Sequence, residues 1–440
     1  MTVSGKVCLF LVVLVLAAGM LKSSPAMAKG TIVVTPMVTV SETYDDNIFL
    51  DKNNTKSDYI TTVSPGIGFS VTSRDNGMDL FYAPTFVKYH EYSGNDTTRH
   101  NARLHLWQEM GKSWRVDLKE EYLKSEEASE VSFADYEERQ RTRHTRYTYD
   151  RNALDGAVRY QFGPEDTLTA GYRHDILENK DPLLDDTEEH GPYANLVYWF
   201  NKQNGVDLGY RFTKTSFERN DGNPSGDDFD GHEADVRYRY RFDQRTEGYV
   251  GYGDTRRIFD KPSRKDRTVH EGTVGVTHHF SPLTSLALDV GYYKPDGYGS
   301  EDDTGHMSYG AVLNRKFERG SISLKGRGGW DEDYLDAEQR GYTRYWTVGG
   351  DADYAVTRDV TAYAGASYRK NEYLSNIEDG TYRGRCGLRM SFLRWYSIGL
   401  EYAYLNRRSD DPNDEYVDNR IMLMLSASRP FRTTYYSSGG

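Results

Sequence analysis

The chain has 440 residues, a formal net charge of −12, and 36 tyrosines and 41 glycines against only 13 prolines. The excess of acidic residues argues against a nucleic-acid-binding protein, because such proteins usually present a basic face. No apolar run beyond Met20 is long enough for a transmembrane helix. Abundant tyrosine is typical of the aromatic girdles of transmembrane β-barrels.

The first 28 residues have the pattern of a secretory signal peptide. Lys6 precedes an apolar run from Val7 to Met20, and Ala26-Met27-Ala28 places small residues at the exit. This order predicts cleavage after Ala28, with an uncleaved anchor as the alternative. The exported part contains one cysteine, Cys386, so no internal disulfide can hold it.

Alternating apolar and polar residues predict strands along the whole exported chain, because successive side chains of a strand point to opposite faces. The clearest hairpin runs from Ala234 to Tyr252. Its first arm is apolar at every second residue up to Phe242, and charged residues stand between them. We predict an all-β fold of about 20 strands, with 18 as the alternative. The predicted strands are Ile32–Tyr44, Asp58–Thr72, Met78–Tyr92, Arg99–Met110, Trp114–Lys124, Arg143–Phe162, Thr167–Leu177, His190–Phe200, Val206–Phe217, the two arms of the hairpin, Thr268–Phe280, Ser285–Lys294, His306–Phe317, Ser321–Trp330, Gly341–Val356, Val360–Lys370, Thr381–Phe392, Tyr396–Leu405 and Tyr416–Phe431.

The connections between these strands alternate in length. Short turns such as Gly111-Lys112-Ser113 follow every second strand, and the others are mostly long and acidic, as in Ser125–Thr142 and Glu178–Glu189. Outer-membrane barrels have short periplasmic turns and long extracellular loops. The pattern therefore predicts a transmembrane antiparallel up-and-down β-barrel over residues 29–431, in the outer membrane, with both termini on the periplasmic side.

The last predicted strand ends on an aromatic residue. Ile421, Leu423 and Leu425 share one face with Phe431, and the segment 432–440 follows as a short tail. A C-terminal amphipathic strand that closes on an aromatic resembles the signal read by the barrel-insertion machinery, so we expect Phe431 to be the barrel-closing signal.

The two faces of the strands have different partners in a barrel. The apolar face, which includes Leu104, Leu106, Leu288 and Cys386, should contact lipid, and the charged face should line an aqueous lumen. The candidate lumen-lining, substrate-contacting residues are Arg211, Arg237, Arg239, Arg241, Lys325, Arg327, Arg383, Arg385 and Arg389. Rows of arginine would attract anions such as uronates. The alternative is that they pair with acidic lumen residues and only hold the wall.

Both ends of the exported chain resemble a porin-like family of outer-membrane β-barrel proteins. The matching segments are V-S-E-T-Y-D-D-N-I-F-L (Val40 to Leu50), S-D-Y-I-T-T-V-S-P-G-I (Ser57 to Ile67) and N-R-I-M-L-M-L-S-A-S-R-P-F (Asn419 to Phe431). Members of that family often accompany exopolysaccharide synthesis and export genes. The resemblance implies an outer-membrane barrel and a part in polysaccharide secretion, and it brings no catalytic residues.

The functional prediction is a channel that takes part in exopolysaccharide secretion. A general or anion-preferring diffusion porin and a structural or adhesive surface protein are the alternatives. We expect no enzyme, because no G-x-S-x-G or H-E-x-x-H motif occurs, and no cofactor. We expect no metal site either: Asp45-Asp46-Asn47 and the group Asp227, Asp228 and Asp230 could offer oxygen ligands to Ca²⁺, but solvated acidic loops are the favoured interpretation. The expected partners are outer-membrane lipid and lipopolysaccharide, the barrel-insertion machinery and polysaccharide synthesis or export proteins.

Overall fold

The computed structural model describes residues 29–127, 146–182, 184–219, 227–298, 304–333, 341–374 and 377–436. The predicted signal peptide, residues 1–28, lies outside them. Among the described residues, no helix is both long enough and apolar enough to cross a membrane.

Antiparallel strands make up nearly all of the described chain. Each strand pairs with the next one in sequence, and the first strand also pairs with the last, so the sheet closes on itself. The predicted up-and-down barrel of about 20 strands is therefore confirmed. The strands are β1 Lys29–Asp45, β2 Asp58–Thr72, β3 Asn76–Tyr89, β4 Thr97–Met110, β5 Trp114–Ser125, β6 Tyr149–Gln161, β7 Thr167–Asn179, β8 Asp185–Trp199, β9 Asn204–Arg219, β10 Phe229–Arg241, β11 Thr246–Phe259, β12 Arg267–Ser281, β13 Thr284–Asp296, β14 His306–Phe317, β15 Gly320–Asp333, β16 Gly341–Ala355, β17 Val360–Tyr373, β18 Glu378–Phe392, β19 Tyr396–Ser409, β20 Tyr416–Ser428 and β21 Phe431–Tyr436.

The last two segments, β20 and β21, form one interrupted strand. Met37 of β1 faces Ser428 and Val34 faces Phe431, so the register continues unchanged across the gap. Pro430 lies in this gap and has no N–H group to give to the ladder. The barrel thus has twenty strand positions. Pairing with β1 continues beyond Phe431 to Tyr436, so the closing strand extends into the segment predicted as a tail.

Several strands reach further toward the extracellular end than the sequence predicts. The predicted loop Glu178–Glu189 is mostly strand, because β7 continues to Asn179 and β8 begins at Asp185. Backbone pairing does not require an apolar face, so the ladder continues where the strands leave the bilayer and both faces become polar. The longest connection joins β5 to β6, and its two described ends are residues 126–127 and 146–148.

The outward face of the barrel is apolar, as the alternation predicts. In the hairpin β10–β11, Val236 faces Tyr252 and Tyr238 faces Val250, and all four side chains are exposed. The free Cys386 is also exposed. Leu104 and Leu106 lie on the same face as the exposed Tyr82 in the β3–β4 register, but both are buried in a cluster with Val71 and Met78.

A belt of hydrogen-bonded tyrosines lies on the outward face of five hairpins, below the extracellular end of the barrel. In each of five hairpins an outward tyrosine on the rising strand bonds to a histidine or asparagine on the descending strand. The pairs are Tyr82–His100 (3.0 Å), Tyr172–His190 (2.6 Å), Tyr210–His232 (2.8 Å), Tyr252–His270 (2.9 Å) and Tyr402–Asn419 (2.7 Å). Tyrosine prefers the boundary between lipid and water, so this belt, called the outer belt below, marks the upper edge of the hydrocarbon layer.

Candidate functional site

The predicted arginine rows lie on opposite sides of the lumen. Arg237, Arg239 and Arg241 alternate along β10 with outward Val236 and Tyr238, so they point inward. The same alternation on β18, where Leu388 and Met390 are exposed, turns Arg383, Arg385 and Arg389 inward. The two strands are eight positions apart in a closed barrel of twenty, which places the two rows on nearly facing walls.

Two arginines of the β10 row are neutralised by carboxylates. Arg239 lies 2.5 Å from Glu247 and 3.4 Å from Asp207. Arg241 binds Glu165 in a periplasmic turn through two hydrogen bonds of 3.0 and 2.5 Å, and also Glu247 at 3.1 Å. The hydrogen bond from Arg241 lowers the pKa of the Glu165 carboxyl. These two arginines stabilise the barrel wall through ion pairs. This agrees with the alternative prediction that the lumen arginines pair with acidic residues rather than attract anions.

Arg237 and Arg389 are arranged differently. The Arg237 guanidinium lies 5.4 Å from the ring centre of Tyr249, and the Arg389 guanidinium lies 5.8 Å from that of Tyr363. Within the described chain, neither has an ion pair with a carboxylate. An arginine above an aromatic ring keeps its charge and its N–H donors while the ring fixes its position. These two side chains therefore leave positive charge available to an ion in the lumen.

The remaining predicted residues also face the lumen. Arg211 lies 4.0 Å from Glu233, and Arg385 lies 3.1 Å from Asp351. Lys325 and Arg327 point inward from β15, because Ile322 and Leu324 on the opposite face are exposed. Arg383 is buried and lines the cavity described below.

A network of ion pairs at the extracellular mouth was not predicted from the sequence. Arg146, at one end of the β5–β6 connection, lies 3.6 Å from Asp45 of β1 and 3.2 Å from Glu127, at the other end of that connection. Arg420 of β20 lies 3.2 Å from Asp45 and 3.6 Å from Glu127. Arg99 of β4 holds Glu127 at 2.6 Å. We call these five residues the mouth network. It ties the ends of the longest connection to the inner wall.

Charge fixes the protonation state of the carboxylate at the centre of this network. Burial disfavours the ionised form of Glu127, but the positive charges of Arg99, Arg146 and Arg420 outweigh it and hold its pKa well below the ordinary value. Glu127 is therefore ionised at neutral pH, as the ion pairs require.

The connection between β1 and β2 also folds inward over the mouth. Ile48 is fully buried against Ile60, Val87 and Tyr89, and Leu50 packs on Tyr416. The Arg146 guanidinium donates a hydrogen bond of 2.8 Å to the carbonyl oxygen of Ile48. The two connections therefore brace each other across the opening.

The acidic groups weighed as Ca²⁺ ligands have protein partners. Asp45 accepts a hydrogen bond from the Asn47 amide, besides its two arginines, and Asp46 binds the backbone and side chain of Asn419. In the second group, Asp227 pairs with Arg264 at 2.7 Å, and Asp228 accepts the Phe217 amide. Both groups hold the loops together.

A cavity of about 480 Å³ lies at the mouth network, inside the wall formed by the first and last strands. Its lining combines hydroxyl groups, such as those of Ser41, Thr43 and Thr62, with charged residues that include Arg383 and Glu401. Such a surface suits a hydrated polar solute better than an apolar one.

Comparison with known proteins agrees with this architecture. Residues 218–429 match the family model described as "Putative beta-barrel porin 2". The predicted resemblance to a porin-like family is therefore confirmed, whereas an association with exopolysaccharide is not shown. A search of curated proteins gave no match.

Solved structures with a similar course of the chain include three from Pseudomonas aeruginosa. They include OpdK with vanillate (12% identity, 92% of this chain and 99% of that one, TM-score 0.37), OpdQ (11%, 92% and 99%, 0.44) and OccK2 in complex with glucuronate (12%, 91% and 98%, 0.44). TM-scores this low do not allow the lumen of this barrel to be compared with theirs. The strand closure and the family match establish an outer-membrane β-barrel with the architecture of a porin-like channel.

Proposed function

We propose that this barrel, whose residues 218–429 match the beta-barrel porin 2 model, is a diffusion channel that favours small acidic solutes. The observation that carries the proposal is the position of Arg237 and Arg389. They lie on nearly facing walls, each above a tyrosine ring and without a carboxylate partner in the described chain.

The expected size of this preference follows from Coulomb's law. A unit charge in water attracts an ion about 5 Å away by about 0.8 kcal/mol, and 0.1 M salt reduces this to roughly 0.5 kcal/mol. Each arginine should therefore change the ratio of anion to cation permeability by about two- to fourfold. That is enough to bias a wide channel without trapping its solute.

Reversal potentials of the full-length protein in planar bilayers test the proposal. In a KCl gradient, Arg237→Gln and Arg389→Gln should each lower the chloride preference by about two- to fourfold. The control is Arg239→Gln with Glu247→Gln, which removes an ion pair without changing the lumen charge and should leave the potential unchanged. Wild-type protein that forms no channel, or single variants that behave like the control, would contradict the proposal.

Exopolysaccharide secretion is the second candidate, and only the resemblance at the chain's two ends supports it. A polymer would have to displace the mouth network and the inward connections, whereas a small solute needs only gaps between them. Deleting the gene separates the two candidates. Loss of surface polysaccharide would favour secretion, and slower uptake of small acids with normal polysaccharide would favour the diffusion channel.

A further inference from the structure

A cluster of three potential metal ligands lies on the outward surface, away from the lumen. His174 of β7 faces His190 of β8 directly in the register, and Glu188 comes two residues before His190 on the same face. This face also carries the exposed Tyr172 of the outer belt. His174 lies beyond that tyrosine on the rising strand, so the cluster sits above the hydrocarbon layer, where ions in water can reach it.

The three ligand atoms lie within 4.8 Å of one another. Nε2 of His174 lies 2.9 Å from Oε1 of Glu188, and Nε2 of His190 lies 3.5 Å from the same oxygen. The two imidazole rings are stacked, with centres 4.6 Å apart. In a tetrahedral zinc site with bonds of about 2.0–2.1 Å, neighbouring ligand atoms are roughly 3.3 Å apart. The two nitrogen–oxygen distances lie on either side of that value.

A second hydrogen bond sets the orientation of one histidine. The Tyr172 hydroxyl lies 2.6 Å from Nδ1 of His190. When Nδ1 carries the proton and donates it to the tyrosine oxygen, the lone pair of Nε2 points toward Glu188 and is free to bind a metal. Histidine ligands in metalloproteins usually have such a partner on their other nitrogen.

The other hairpins of the outer belt provide the comparison. Tyr210–His232 and Tyr252–His270 repeat the tyrosine–histidine pair. Among the described residues, however, only the β7–β8 hairpin brings three ligand-bearing side chains together. The β7–β8 hairpin therefore has His174 and Glu188 in addition to the tyrosine–histidine pair that it shares with the other hairpins.

We propose that His174, Glu188 and His190 bind one Zn²⁺ ion. Two imidazoles and a carboxylate suit zinc, whereas Ca²⁺ and Mg²⁺ prefer oxygen ligands throughout. The fourth position faces outward and is open to water. The ion joins β7 to β8 above the bilayer and so holds together the part of this hairpin that lipid does not support.

Zinc titration of the full-length, untagged protein in detergent tests the site, with a chromogenic chelator as competitor. We expect one Zn²⁺ per chain with a dissociation constant on the order of micromolar. His174→Ala and Glu188→Gln should each weaken binding at least tenfold. Tyr172→Phe should weaken it about tenfold, because it removes only the supporting hydrogen bond. The matched control, His232→Ala, should bind zinc like the wild type.

Binding that survives His174→Ala and Glu188→Gln, or that His232→Ala weakens equally, would overturn the assignment, as would an absence of stoichiometric binding. The site is on the outside of the wall, so its variants should keep the wild-type reversal potential. Failure of the zinc site and failure of the channel proposal are therefore distinguishable.

Discussion

Replacing Arg146 should open the extracellular mouth. Its side chain is 1% exposed, like that of Asp45, with which it pairs, and it also holds Glu127 and the Ile48 carbonyl. Arg146→Ala leaves both carboxylates with fewer cations and removes the bond between the two inward connections. The strands themselves do not depend on this contact, so the barrel should still form.

The magnitude follows from the burial of the pair. Removing one partner of a buried ion pair typically costs about 3–5 kcal/mol, because the other charge is left without compensation. If the connection ends are held less tightly by that free energy, the fraction of molecules in which they are detached rises by a factor of roughly hundreds to thousands. The connection ends, which are anchored nearly all of the time in the wild type, would then be detached for a much larger share of the time and would widen the mouth.

Single-channel recording in planar bilayers measures this directly. Arg146→Ala should show a higher mean conductance and long visits to a large open level. The control is Arg256→Ala, which removes an arginine of an exposed pair with Asp266, 52% and 46% exposed, and should keep the wild-type conductance. If Arg146→Ala conducts like the wild type while it folds normally, the mouth network does not restrict passage.

Two further predictions concern pH and the lipid face. Because the pKa of Glu127 is lowered in the folded protein, its stabilising contribution is complete above the ordinary value of 4.5 and is lost as the pH falls further. Conductance should therefore rise as the pH falls below about 4, and a conductance that stays the same between about pH 5 and pH 3 would contradict this. Leu288→Arg places a charge on the lipid face midway along β13 and should destabilise the barrel in lipid by about 2–4 kcal/mol, as measured by denaturant titration. Ala287→Arg, at the adjacent residue on the lumen side, is the control and should have little effect. Equal losses of stability in the two variants would show that the faces are assigned wrongly.

The strands and their faces could be predicted because both follow from a local pattern. A period of two identifies a strand without knowledge of its neighbours, and turn length gives the direction of the chain. The inward position of Arg237 could be predicted simply because the preceding residue, Val236, points outward. The ends of strands such as β7 and β8 were harder to predict, because above the bilayer both faces are polar and the alternation loses its contrast.

The mouth network required information that one strand does not contain. Asp45 and Arg420 face each other only because the first strand pairs with the last, in a register set by the whole barrel. Once a closed barrel is predicted, its first and last strands must pair, and this pairing is the one feature of the sequence prediction that could have placed Asp45 beside Arg420. Arg146 and Glu127 belong to a connection whose path no alternation describes. Likewise, the bond from Arg241 to Glu165 joins a strand to a distant turn, so the sequence could not separate this paired arginine from Arg237.

The central claim is that one face of every strand contacts lipid and the other contacts water. Thiol labelling in outer-membrane fragments tests it most directly, with the native Cys386 compared with Arg237→Cys in a Cys386→Ser background. A water-soluble maleimide should label the lumen cysteine and leave Cys386 unmodified, while a lipid-soluble maleimide should reach Cys386. Rapid labelling of Cys386 by the water-soluble reagent, or a protected cysteine at position 237, would contradict the account.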